Sequence, residues 1–485
     1  YGSRESFFYF LRLPNTERKN SQTVKESFME KFFKLKEHHT DTRTEITAGI
    51  TTFLSMVYIL AVNPSILSAS GMDPSAVFTA TAISAAFATL IMAFLANYPV
   101  ALASGMGLNA YFAFSICVPM AKAGIQDPYK IALTAVLVEG IVFVLLSLTN
   151  FREKLVNDVP ANLKYGITAG IGLFIVIVAL KSAGIIVSDA STLVTMGDVG
   201  SPQFVLAIVG FLIIAILDHF HVKGHILLGI LITWILGMIA QATGWYVVDL
   251  EAGAASLFPS FSASSFIPKA PNFMAFNFEW AGKNIIEFIV ICFSFLFVDL
   301  FDTVGTLIGV ASKGDLLDEN GNLPRAKEAL LSDAIGTIAG ACLGTSTVTS
   351  YVESTAGVAS GGRTGMTALT TGILFLVAIF LSPIFIAIPG FATTPALMYV
   401  GLLMLSSIKN MKFEGDIADT VSGFMAIIMM PFTYSIANGI MFGMLSWVIL
   451  KLVSGKAKEI PAVMWVSAAL FAVRFATLIY GIGYR

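Results

Sequence analysis

The sequence predicts an all-α integral membrane protein with about 14 transmembrane helices. Three observations carry this prediction. Of 485 residues, 56% are hydrophobic and only 12% charged, against about 25% charged in soluble domains, and the mean hydropathy is +0.81. The apolar residues fall in runs near the ~20 residues that a helix needs to cross a bilayer. With the N-terminus inside, 24 of the 29 Lys and Arg fall in inside segments, leaving Lys122, Lys130, Lys181, Lys269 and Lys283 outside, as the positive-inside rule requires. A missed or added span would invert every later loop and spoil that split. The net charge of −2 comes with no basic stripe, so no nucleic-acid partner is expected.

Taken in order, residues 1–43 read as a cytoplasmic tail, with 28–37 as a short amphipathic helix on the membrane surface. Spans 1 to 4 are expected near 46–62, 74–96, 100–120 and 130–148. Spans 5 to 7 follow near 163–186, 203–217 and 225–240. Residues 244–284 are too polar to span and form an external linker. Spans 8 to 14 are expected near 285–310, 326–343, 349–359, 367–388, 394–408, 417–430 and 436–453. Arg474 interrupts the apolar run 461–480, so 456–485 reads as an interfacial segment. The linker leaves seven spans on each side, and in each half the third unit is abnormal. Residues 100–120 begin VALASGMGLNAYFAF, and 344–365 read GTSTVTSYVESTAGVASGGRTG. Broken units in matching positions point to an inverted repeat with a binding site at the bilayer midplane. Short strands are expected in spans 3 and 10.

Three carboxylates lie where a membrane span should have none: Asp299, Asp302 and Glu353. Each costs about 2.5–3.5 kcal/mol at the centre of a span, so a transport site is expected around them. Asp299 and Asp302 are three apart and share a helix face. Two carboxylates that close repel when both are charged, which suits them, with Glu353, to carrying a proton. Glu353 follows a β-branched run with strand character. Thr349 and Ser350 offer an N-cap that would put Glu353 on the first turn of a half-helix. Asn109, with Gly105 and Gly107, is the matching feature of the first half. Glu139, in span 4, is a fourth buried carboxylate, for which pairing and coupling are both open. Phe295, Tyr351 and Phe112, with Tyr111, are candidates to stack on a flat ligand.

Such a pocket suits a neutral, flat molecule with adjacent N–H donors, such as guanine, and repels anions. Cys117, Cys292 and Cys342 each lie in an apolar run, and the five histidines fall in the tail or one short loop. No metal site, cofactor, disulfide framework or enzyme active site is therefore predicted.

The segments VDLFDTVGTLIGV (298–310), GTSTVTSYVESTAGVASGGRTG (344–365), GMGLNAYFAF (105–114) and TPALMYVGLLML (394–405) resemble the azaguanine-type purine permeases. These are the hypoxanthine/guanine/adenine branch of the nucleobase–cation symporters. The resemblance runs from about residue 44 to 453. It implies two inverted repeats of seven spans, a core domain (44–150 and 285–390) and a gate domain (151–243 and 391–455). It implies purine binding between spans 3, 8 and 10, driven by protons, with Asp299, Glu353 and Asn109 on the purine. Gly107 and Asp302 would shape the site or the coupling. The resulting expectation is proton-coupled uptake of guanine or hypoxanthine, and of adenine, across the plasma membrane by alternating access, with both termini cytoplasmic. A homodimer is compatible with this reading. The alternative is an anion transporter or channel on the same scaffold.

Overall fold

The computed structural model describes residues 28–148, 158–247, 256–259, 266–318 and 323–479. It is a bundle of helices running α1 (Thr42–Met56), α2 (Ile59–Ser68), α3 (Pro74–Ile91), α4 (Met106–Ala110), α5 (Pro128–Ser147), α6 (Ala161–Ser182), α7 (Pro202–His219) and α8 (His225–Ala242). After the linker come α9 (Ile285–Lys313), α10 (Ala326–Leu343), α11 (Ser354–Ala359), α12 (Gly365–Ala378), α13 (Gly390–Leu405), α14 (Ile417–Phe432), α15 (Ile436–Val453) and α16 (Ala462–Ile479). Among the described residues, nine helical segments are long and apolar enough to cross a membrane. The protein is therefore a helical, multi-pass membrane protein.

Local chemistry sets the helix starts. Asp41, Asp73, Ser201, Thr364, Asp416 and Ser435 each accept a backbone N–H of the first turn, satisfying donors that a helix leaves orphaned. Pro74, Pro128 and Pro202 occupy first-turn positions, where a missing N–H costs nothing. Helix α4 continues through a π-helical stretch, Tyr111–Cys117, into Val118–Lys122.

The helices pack in two groups. In one, α1 contacts α11 and α12, α3 contacts α10 and α12, and α5 contacts α9 and α10. In the other, α6 contacts α13, α14 and α15, while α7 and α8 contact each other and α13. Between α3 and α4 lies β1 (Leu102–Ser104). Between α6 and α7 an exposed antiparallel hairpin is formed by β2 (Ile186–Asp189) and β3 (Leu193–Met196). Between α10 and α11 lies β4 (Val348–Ser350), and β1 pairs antiparallel with β4.

Two expectations are corrected. Of the tail segment 28–37, expected as one short amphipathic helix, only Phe28–Phe32 is helical. Beyond it, Phe33 and Leu35 bury against Ala93, Met366 and Ala368, because a docked apolar pair loses more water-exposed surface than one left at an interface. The fifth span ends at Ser182, since the β-branched residues that follow pair as the hairpin. Within 456–485, residues Ala462–Ile479 form the 18-residue helix α16. This helix packs on the bundle, with Phe471 edge-on to Phe293 at 5.5 Å and Phe475 edge-on to Phe442 at 6.1 Å.

One carboxylate ties the first group together. Glu45 on α1 is fully buried and accepts the backbone N–H groups of Arg363 (2.8 Å), Thr364 (3.3 Å) and Thr367 (3.1 Å) and the Thr367 hydroxyl (2.6 Å). It thus caps α12 from another helix, placing its charge at the positive end of the α12 dipole. Glu45→Ala should lower stability by about 3 kcal/mol, since each buried donor left unpaired costs roughly 1–3 kcal/mol. Glu45→Gln, which keeps one carbonyl oxygen, should lose about half as much. Thermal melts of the two purified variants in detergent test both values.

Candidate functional site

Two strands inside a membrane bundle raise an accounting problem, because each backbone group at that depth needs a partner. Pairing meets part of it: Leu102 faces Ser350, Ala103 faces Thr349 and Ser104 faces Val348. The ladder is extended by Gly105 N–H to Thr347 O and Tyr351 N–H to Ala101 O, both 3.0 Å. Hydroxyls on neighbouring helices serve the outer edges. Thr89 on α3 accepts from Leu102 N–H (2.9 Å) and lies 3.1 Å from Leu102 O. Thr337 on α10 donates to Val348 O at 2.9 Å. Ser354, heading α11, accepts from Ala101 N–H at 3.0 Å.

Around this strand pair the structure gathers three polar clusters. In the first, the Thr303 hydroxyl lies 3.2 Å from Asp299 Oδ1, 3.0 Å from Asp333 Oδ2 and 2.9 Å from Thr349 Oγ1. Asp333 Oδ1 also accepts the Ser350 N–H at 2.9 Å and the Ser350 hydroxyl at 3.2 Å. Asp299 and Asp333 are both fully buried. A hydroxyl carries one hydrogen, so Thr303 donates to one carboxylate at a time while accepting from Thr349.

In the second cluster, Asn109 Oδ1 accepts from the hydroxyls of Ser104, at 2.8 Å, and Ser346. Ser104 in turn contacts Thr345 at 3.1 Å, and Thr345 takes a hydrogen bond from Asn63 at 3.0 Å. In the third, Glu353 accepts from the hydroxyl of Tyr58 and interacts electrostatically with Asp302. Tyr351 closes the group by donating its hydroxyl to Ser104 O at 2.5 Å.

The sequence-predicted residues thus separate by role. Asp299, Asn109, Glu353, Asp302 and Tyr351 converge on the two strands. Asp299 and Asp302 belong to different clusters, because Asp299 is fully buried beside Thr303 whereas Asp302 stays partly exposed near Glu353. Thr349 and Ser350 are strand residues, not an N-cap. Glu353 itself holds the N-cap position of α11 and makes no side-chain cap bond, so the expected first-turn placement is corrected by one position. Gly107 packs against α6, where a Cβ would meet Ile171 Cγ2 at 2.6 Å. Phe295 is fully buried, edge-on to Tyr111 at 4.8 Å and 6.5 Å from Phe112; these rings engage one another. Glu139 is buried on α5, on the far side of α10 from α3.

Sequence reasoning missed Asp333, Tyr58, Asn63 and Glu45. Asp333 and Glu45 carried a usable signal, an acid inside or at the lip of an apolar run. Tyr58 and Asn63 carried none, since a polar tip on a buried residue is distinguishable only by what it reaches.

Residues 43–477 match the model of the family described as Permease family (Xan_ur_permease). The chain is 43% identical to the guanine/hypoxanthine permease PbuO of Bacillus subtilis (strain 168), over 92% of this chain and all of the relative. It is 41% identical to the adenine permease AdeP of Escherichia coli (strain K12), over 94% of this chain and 97% of the relative. Among solved structures, its fold is similar to the transmembrane domain of the cyanobacterial bicarbonate transporter BicA. The TM-score is 0.61 at 16% identity, covering 81% of this chain and 96% of that one. It is also similar to the murine anion transporter Slc26a9 in its inward-facing state, with TM-score 0.60 at 11% identity, covering 91% and 74%.

The tight fit of the strand pair is testable. A Cβ on Gly105 would lie 2.4 Å from Thr349 Cγ2, so Gly105→Ala should cost about 1–3 kcal/mol by overpacking. Thr349→Ser removes that methyl and keeps the hydroxyl for Thr303. Combining the two should therefore restore part of the loss, measured as a melting-temperature cycle over the four proteins.

Proposed function

The chain belongs to the Permease family, and from that premise we propose that it imports purine nucleobases by proton-coupled alternating access. Guanine and hypoxanthine are the expected substrates, with adenine a third. The observation that carries this reading is the buried β1–β4 pair ringed by Asp299, Glu353 and Asn109. Carboxylate and amide acceptors beside strand backbone suit a flat heterocycle with ring N–H donors. The curated relatives are named for guanine, hypoxanthine or adenine, which supports the same class. Carboxylates at this position oppose an anionic cargo, so the anion transporters of similar fold lend their architecture alone.

In this reading Asp299, Glu353, Asn109 and the Gly107 backbone contact the purine, while Asp302, near Glu353, carries the proton. The fold is read as fourteen spans in two inverted repeats of seven, with N- and C-termini cytoplasmic. The matched parts support it. Each half contributes one strand, and each strand is served by a threonine from the preceding helix, Thr89 in one half and Thr337 in the other. The first helix group is read as the core domain and the second as the gate domain. They meet through matched contacts. Lys223, between α7 and α8, donates to Thr51 (3.2 Å) and to Ser360 (3.0 Å) just past α11. The N–H of Ile436 opening α15 reaches Ser115, in the continuation of α4, at 3.4 Å.

Uptake of radiolabelled hypoxanthine in cells lacking their own purine permeases tests the proposal. The expected result is saturable uptake that unlabelled guanine and adenine block, that uracil does not, and that a protonophore abolishes. Absence of uptake with the protein present in the membrane would overturn it. Asp299→Asn and Glu353→Gln should each lower uptake by at least about tenfold, the loss of one charge-assisted hydrogen bond. Asp302→Asn should keep hypoxanthine binding but lose accumulation against a gradient; unchanged accumulation would remove Asp302 from the coupling.

A further inference from the structure

Acids inside the bundle differ in how firmly they are held. Glu45 has four donors, and Asp333 has three from Ser350 and Thr303. Glu353 has far less. It heads a six-residue helix without capping it and follows a turn at Val352. Among the described residues, one side chain bonds its carboxylate: Tyr58, which lies 295 positions earlier in the chain.

Tyr58 is well placed to hold something still. Its ring is fully buried in the main apolar core, at the link between α1 and α2 where the first span breaks its helix. The helix carrying it is fastened to the segment carrying Glu353. The Cβ direction of Gly357, in α11, is filled by Thr52 Oγ1 and Ala48 O of α1 at 2.0 and 2.7 Å, and Glu45 binds the chain just after α11. The segments carrying Tyr58 and Glu353 therefore pack directly against each other. A fully buried tyrosine needs a partner for its hydroxyl, yet the partner here is a carboxylate in the candidate site rather than a nearby carbonyl.

We infer that Tyr58 is a positioning residue of the binding site: its hydroxyl fixes the Glu353 carboxylate in the orientation that receives the purine. This rests on the reading of Glu353 as a purine contact. It adds a group from the link between α1 and α2 to purine contacts that otherwise come from the two broken units and α9. Tyr58 touches no substrate in this scheme. It holds the Glu353 side chain in one rotamer, so that purine binding does not have to order it.

The test is Tyr58→Phe, which keeps the ring and removes only the hydroxyl. Hypoxanthine binding to purified protein is measured by thermal shift, and uptake is measured in permease-deficient cells. The half-saturating hypoxanthine concentration should rise about tenfold or more, as expected for one charge-assisted hydrogen bond. Maximal uptake, membrane level and ligand-free melting temperature should stay near wild type. On a Glu353→Gln background the same substitution should weaken the residual binding by less than about twofold, since coupled residues are non-additive. An unchanged half-saturating concentration would overturn the assignment. So would an equal tenfold weakening on both backgrounds, or a loss of maximal uptake that follows a lower ligand-free melting temperature. Failure of the wild-type protein to bind or carry any purine would instead overturn the functional reading on which this assignment rests.

Discussion

The structure depends on the need to satisfy two lengths of extended backbone in the middle of a membrane bundle. Water cannot reach these amides, and a lipid chain offers no acceptor. Pairing β1 with β4 answers half the demand. The hydroxyls of Thr89, Thr337 and Ser354 answer much of the rest, at the cost of placing polar side chains on otherwise apolar helices. Once those hydroxyls are present, the strands can exist, and with them a buried cluster of backbone and side-chain acceptors. The same demand explains the small residues beside the strands. A Cβ at Gly105 would collide with Thr349, and Gly344, with φ of +87°, turns the chain from α10 towards β4.

The carboxylates inside the bundle sort by how they are supported. Glu45 and Asp333 are saturated with donors and fix elements in place: one joins α1 to the start of α12, the other holds β4 against α10. A saturated acid has little capacity left for a ligand. Glu353 and Asp302 have few partners and remain partly exposed. Asp299 stands between the two classes, sharing the Thr303 hydroxyl with Asp333. The well-supported acids thus build the frame, and Glu353 and Asp302 are held more loosely.

Membrane character, the order of the helices, the two broken units and the acids Asp299, Asp302 and Glu353 were all determined by sequence alone. The reason is that a hydrocarbon solvent punishes polar atoms so heavily that every exception is visible as a letter in an apolar run. What only the tertiary structure decided is pairing. That Asp299 and Asp302, one helical turn apart, join different clusters depends on which neighbours α9 packs against. That Tyr58 meets Glu353 and Glu45 meets Thr367 depends on contacts across about 300 positions, where no local spacing rule operates. Likewise, Phe33 and Leu35 have an apolar pattern that fits a membrane surface or a protein groove equally well, and the groove beside Ala93 and Met366 exists only once the helices have assembled.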